Sequence, residues 1–267
     1  MKIAPFKYCF IILLVSTIFF SCKKVINLDL GNVSGELVIE GDVTSQPGLQ
    51  KVILSRNVPF TNPNVYPAVT GAVVSVSDDL GNQYRLTENP AGTYSKSNFT
   101  GIPGRTYSLS VATGGTTYTA TSQMPDEVKL DSITDKNDIF NTSKNRRVIT
   151  IHFQDPGDEL NQYRFVMFVN GVQVKSIFAF DDEFINGKYV DLDLEQTDID
   201  IYPNDTVKVE MECIDKPMYT YWYTLAQQQA NNPGGQVAPA NPPTNISPTT
   251  LGYFSAHTTQ SLTLIVR

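Results

Sequence analysis

Val207-Lys208-Val209-Glu210-Met211-Glu212-Cys213 alternates apolar and charged side chains with a period of two. Successive side chains of an extended chain point to opposite faces. This stretch is therefore a strand with Val207, Val209, Met211 and Cys213 turned to a core and the charges turned away. The same reading extends upstream to strands at 148–153, 163–169, 172–180 and 189–194. Asn170-Gly171 between two of them is a strong hairpin signal, because both residues tolerate the positive φ of a tight turn. Asn186-Gly187 is a weaker one. Further toward the N-terminus lie strands at 36–44, 51–56, 72–77, 83–88, 106–112 and 116–122, with Asp79-Leu80-Gly81-Asn82 and Gly114-Gly115 as reversals. The Pro-containing segment 57–67 between strands reads as an exposed loop.

Composition agrees. The 267 residues are 41% hydrophobic and 18% charged, with 16 Pro, 17 Gly, 13 Tyr and 14 Phe, a balance that favours a folded chain of short strands and turns. The expected fold class is all-β, with two antiparallel immunoglobulin-like or prealbumin-like sandwiches over 36–125 and 126–267. Met124-Pro125-Asp126-Glu127 is the expected boundary between them. One short helix is expected in the second sandwich, at 217–230. Asp215 can cap it and Pro217 suits its first turn, while Met218, Tyr221, Trp222 and Leu225 share one face. Residues 231–250 hold five prolines and a Gly-Gly pair and read as a long irregular loop. Residues 251–266 return as a strand that completes the second sandwich.

The N-terminus reads as an address. Lys2 and Lys7 precede an apolar run from Cys9 to Phe20, shorter than the roughly 20 residues a membrane-spanning helix needs. Phe19-Phe20-Ser21-Cys22 then gives way to Lys23-Lys24. This resembles a bacterial lipoprotein signal, with Phe19 where Leu is usual; it implies cleavage before Cys22, acylation of that residue, a tether over 23–35 and placement in the outer membrane. Cys9 leaves with the signal and Cys22 takes the lipid, so Cys213 is the one remaining thiol and no intrachain disulfide is expected. The mature chain then carries a net charge of −9, and even the full chain at −7 lacks the basic excess that nucleic-acid phosphates require.

Equipment for chemistry is sparse. His152 in Val148-Ile149-Thr150-Ile151-His152-Phe153 faces solvent, opposite Ile149 and Ile151. His257 lies in the polar run His257-Thr258-Thr259-Gln260 with no Cys or His at ligand spacing. No Gly-x-Ser-x-Gly elbow, phosphate-binding Gly-Lys-Ser/Thr loop or His-Glu-x-x-His helix occurs, so neither catalytic residues nor a cofactor or metal are expected. The acidic stretch 181–200 could converge on a hard cation such as calcium. Asp191-Leu192-Asp193-Leu194-Glu195 reads equally as a strand with a solvated acidic face. The aromatic turn Tyr219, Tyr221, Trp222 and Tyr223 supplies core plugs. It also supplies a candidate partner-binding surface, Tyr219, Trp222 and Tyr223, beside the Pro-rich loop. Aromatic platforms stack on sugars too, which keeps a glycan- or nutrient-capturing surface protein as the alternative. Asp131-Ser132-Ile133 and Asp205-Thr206-Val207 resemble acceptor tripeptides of Bacteroidota O-glycosylation.

Residues 22–30 and Leu37-Val38-Ile39-Glu40-Gly41 resemble the start of a Bacteroidota outer-membrane lipoprotein family catalogued as domain of unknown function 4249. So do 73–81, Gly101-Ile102-Pro103-Gly104-Arg105-Thr106-Tyr107, Asn241-Pro242-Pro243-Thr244-Asn245-Ile246 and Leu251-Gly252-Tyr253-Phe254. The similarity covers nearly all the mature chain. Gene order in that family often sets it beside TonB-dependent receptors. The resemblance therefore implies a non-enzymatic accessory of such a receptor, and it carries no catalytic residues to transfer.

Overall fold

A computed structural model describes residues 35–48, 50–59, 62–139, 145–229 and 240–267. Cys22 and the signal and tether expected before Gly35 lie outside the described residues, as does 231–239 of the expected Pro-rich loop. The described residues form one compact unit. Among the described residues the fold is an all-β sandwich with a single helix.

Its organising element is the last strand. β17 (Leu251–Ile265) runs through the middle of a nine-stranded sheet. On one flank its first half pairs in parallel with β1 (Leu37–Thr44), Ile39 opposite Gly252 and Val43 opposite Ala256. On the other flank its second half pairs antiparallel with β15 (Thr206–Cys213), Val207 opposite Leu264. The expectation that this strand completes the second sandwich therefore holds for half of it. The other half belongs with the N-terminal strands, a long-range parallel pairing that local alternation does not encode.

Even-numbered residues of β17 show how one strand serves two cores. Phe254 and Ala256 enter a core with Ile39, Leu54, Leu109 and Val111. That core is closed by a five-stranded sheet that includes β3 (Val73–Asp78), β7 (Thr106–Thr113) and β8 (Thr116–Gln123). Leu262 and Leu264 pack on a second core with Ile149, Phe153, Tyr163, Phe165 and Val209. This one is closed by a three-stranded sheet in the order β14 (Tyr189–Leu194), β10 (Arg147–Gln154), β9 (Leu130–Asn137). Between the cores Gln260 accepts from the Leu130 N–H at 2.8 Å and donates to the Val128 carbonyl. Met124 belongs to the first core and Val128 to the second.

Local signals explain the remaining elements. Val207, Val209, Met211 and Cys213 are all inward and buried, as their alternation requires. Asn170 and Gly171 both adopt positive φ in the turn between β11 (Gln162–Val169) and β12 (Val172–Gln173). The helix α1 spans Lys216–Gln229, and Asp215 caps it by accepting the Met218 N–H at 3.0 Å. The same carboxylate accepts from Ser122 Oγ at 2.7 Å and Gln123 N at 3.1 Å, which ties the helix start to β8. Among the described residues no helix is long and apolar enough to cross a membrane.

Candidate functional site: an aromatic cleft beside the helix

Odd-numbered residues of β17 face away from both cores, yet Tyr253, Ser255 and His257 are buried. Part of the cover is α1. Met218 and Tyr221 form a third apolar cluster with Ile214 and Tyr253, with Trp222 and Leu225 packed beside it. Trp222 meets the Tyr221 and Tyr253 rings near-edgewise at 5.1 and 5.0 Å. On β11, Arg164 holds its guanidinium carbon 3.7 Å from the Trp222 ring centre and donates to Glu212 at 2.9 Å.

This face carries charge where local pattern predicts solvent. His257 sits 3.9 Å from Glu212 through Nε2 and 2.9 Å from Ser255 Oγ through Nδ1. Burial pushes Glu212 up, but the Arg164 and His257 charges hold its carboxyl below the ordinary value. Burial raises Asp42 and Glu40 on β1. His257 is therefore a buried neighbour of Glu212 and Ser255 on this face. Sequence periodicity cannot see this, because each strand alone presents that face to water.

The helix displays its aromatic residues in two directions. Trp222 lies on the Arg164 side. Tyr219 and Tyr223 stack on each other, ring centres 5.4 Å apart, and border a separate cleft of about 560 Å³. Its floor includes Phe153, Phe165 and Val190, and its far wall is formed by Phe180, Phe184 and Tyr189. Phe184 is 80% exposed, Tyr189 54% and Tyr223 44%. Burial, reinforced by the adjacent Asp181 carboxylate, pushes the Tyr219 hydroxyl up to about 12, so it stays protonated. Lys216 reaches across, 4.7 Å from the Tyr219 ring centre and 3.4 Å from Asp181. The described part of the expected Pro-rich loop lies elsewhere: Pro242 and Pro243 border a different cavity with Tyr221 and Leu225.

The acids of 181–200 disperse. Asp182 accepts the Asn161 N–H at 2.7 Å, Asp193 pairs with Lys136 at 2.6 Å, Asp198 accepts Lys175 N at 2.8 Å, and Asp200 pairs with Arg146 at 3.0 Å. Asp191 bonds His152, whose other ring nitrogen is 2.7 Å from Thr134 Oγ1. Among the described residues no group of three His, Cys, Asp or Glu converges to hold a metal ion.

A family model described as Domain of unknown function (DUF4249) matches residues 23–263. The chain belongs to this family. No curated protein matches it. The segments that carry the DUF4249 resemblance meet as joints of the fold. Leu37 to Gly41 and Leu251 to Phe254 lie together in the parallel pairing of β1 and β17. Asn245 clamps Phe254 by donating to its carbonyl at 2.7 Å and accepting its N–H at 3.0 Å. Arg105 pairs with Asp78 at 2.9 Å, and the Ile102 N–H donates to Tyr107 Oη at 2.8 Å. These residues hold architecture. The exposed aromatic residues of the cleft lie outside those segments, and for Phe184 the one sequence signal was an apolar pair, Phe184-Ile185, stranded between Glu183 and Asn186-Gly187.

Proposed function

We propose that the mature chain is a lipid-anchored accessory protein of the outer membrane that binds a protein partner, a TonB-dependent receptor, and performs no chemistry of its own. The observation that carries this reading is the cleft walled by Phe184, Tyr189 and Tyr223. Large aromatic side chains left in water around a concave apolar floor are what a binding partner covers, since their burial supplies most of an interface's favourable free energy. The lipoprotein-like N-terminus supports the anchored half of the proposal. Two or three acyl chains on Cys22 hold a protein to a bilayer at about 0.8 kcal/mol per buried methylene.

Crosslinking on cells followed by pull-down and mass spectrometry tests the partner. A receptor crosslinked at the cleft is the expected result, and repeated captures without any receptor sink the proposal. Cys22→Ala tests the anchor: the variant is expected to leave the membrane fraction, and full retention there shows that lipid at this residue is not the anchor. The second reading, capture of a glycan or nutrient, draws on the same exposed rings, which present faces to sugars. It is favoured if a glycan array binds the wild type and Tyr223→Ala loses the signal.

A further inference from the structure

The cleft continues along an unfinished sheet edge. Among the described residues β14 closes the three-stranded sheet and pairs with β10 alone. Opposite it, β13 (Phe178–Asp181) pairs only with β11 among the described residues, so within them the two facing sheets of the second core both end here. A second hollow of about 530 Å³ shares Phe180, Asp191 and Leu192 with the cleft and extends it toward Glu195. The sandwich is open on this side, and apolar side chains of its interior are visible in the gap.

The hydrogen-bond parity of β14 shows what that edge offers. The Asp155 N–H donates to the Lys188 carbonyl at 2.9 Å, one step beyond the Gln154–Tyr189 pair. Antiparallel pairs alternate between bonded and non-bonded, so Val190, Leu192 and Leu194 direct their main-chain groups to β10. Those of Tyr189, Asp191 and Asp193 point away from it, and no other described element bonds them. The side chains divide in the opposite sense. Val190 and Leu194 are buried toward the core, while Tyr189 and Asp191 are exposed. Asp191, Asp193 and Glu195 make the outward rim acidic. Lys136 offsets one charge and His152 bonds another, and Glu195 has no partner among the described residues.

We propose that the β14 edge is a strand-addition site for an extended segment of a partner protein in which apolar and basic side chains alternate. The added strand would take up the free N–H and C=O groups of Tyr189, Asp191 and Asp193. Every second side chain would enter the gap between Phe180 and Leu192, and the intervening ones would meet the acidic rim, where opposite charges on paired strands attract. A second copy of this chain is disfavoured at the same edge, because it would set acid against acid. This inference rests on the proposal that the chain binds a protein, and it names the chemistry of what is bound.

The test is selection of a displayed library of random twelve-residue peptides on the purified mature protein. Enrichment of peptides alternating basic and apolar residues is expected, with amide exchange slowed at Tyr189, Asp191 and Asp193 when such a peptide binds. Asp191→Lys combined with Glu195→Lys should weaken binding at least tenfold. Asp191→Pro, which deletes one outward N–H on an edge strand that tolerates it, should do the same with an unchanged melting temperature. Failure to enrich any peptide, enrichment of acidic or non-alternating ones, equal binding by both variants, or protection elsewhere overturns the proposal. So does a dimer in solution that the Lys variant dissolves. Peptide selection that succeeds while pull-downs find no receptor keeps this edge and discards the receptor. Receptor capture with no enriched peptide discards the edge and keeps the receptor.

Discussion

The Arg164 guanidinium is sandwiched between charge and ring: it donates to Glu212 at 2.9 Å while its central carbon lies 3.7 Å from the Trp222 ring centre. A delocalised, weakly hydrated cation suits this position because it can stack and form a directed hydrogen bond at once. The contact fastens α1 to the outer face of the long sheet. Trp222→Ala removes the stack and both edge contacts with Tyr221 and Tyr253, and should cost about 2–4 kcal/mol, since the ring is only partly buried. Trp222→Phe should recover part of that. Urea unfolding followed by far-UV circular dichroism checks both, because Trp222 is the chain's single tryptophan and its fluorescence vanishes with the substitution. A loss below about 0.5 kcal/mol would show that the helix is held elsewhere.

The same ion pair sets a pH dependence. Glu212 has a folded-state value held below its ordinary 4.5 by Arg164 and His257 against the opposing effect of burial. A carboxyl of that kind contributes stability above its unfolded value, and the contribution is lost as pH falls through the lower folded value. Glu212→Ala leaves Arg164 without its anion and should cost about 3–5 kcal/mol at pH 7. The gap to wild type should narrow below pH 4.5. Asp42 runs the other way: burial raises it, so its ionisation opposes folding as pH rises through the raised value. Asp42→Asn should raise the melting temperature at pH 7 and lose that advantage in acid. Thermal melts across pH 3–8 distinguish the two.

The strands and turns were largely legible, because a residue such as Val209 or Asn170 declares its role through its immediate neighbours. The sharing of β17 between two cores was not. Nothing in Leu251-Gly252-Tyr253-Phe254 says that its partner lies more than two hundred residues away in β1. The candidate site was half legible. Tyr219 and Tyr223 stand out in a helix of unusual aromatic density, and they do meet. Phe184 and Tyr189, which complete the cleft with them, sit in an acidic stretch where charge masks them. The burial of His257 and Glu212 was not legible either, because each lies on a strand face that period-two alternation assigns to water.

Gly252 is where the pairing of β1 with β17 is least tolerant. Its φ is +99°, and a Cβ there would lie 2.0 Å from the Ile39 carbonyl oxygen. An alanine has to displace β1, the strand it pairs with, so Gly252→Ala should cost at least about 3 kcal/mol, combining left-handed strain with a broken ladder. Gly115→Ala is the control: its φ is +80° but nothing lies within 4 Å of the added carbon. That variant should lose only about 1–2 kcal/mol, the strain alone. Equal losses in chemical denaturation would mean that the close approach to Ile39 is relieved without consequence.

Phe184 separates binding from folding. It is 80% exposed at the lip of the cleft, so Phe184→Asp removes little packing and should leave stability within about 0.5 kcal/mol of wild type. Tyr223→Ala, stacked on Tyr219 but half in water, should cost slightly more, about 1 kcal/mol. If the cleft is the interface, both variants should cut crosslinked partner recovery at least tenfold. A buried aspartate facing an apolar partner surface is penalised whether or not the rest of the contact survives. Trp222→Ala makes the opposite pairing, a large stability loss from a side chain turned toward Arg164 and away from the cleft. Undiminished capture by Phe184→Asp, with a melting curve matching wild type, would mean that the partner docks on another face.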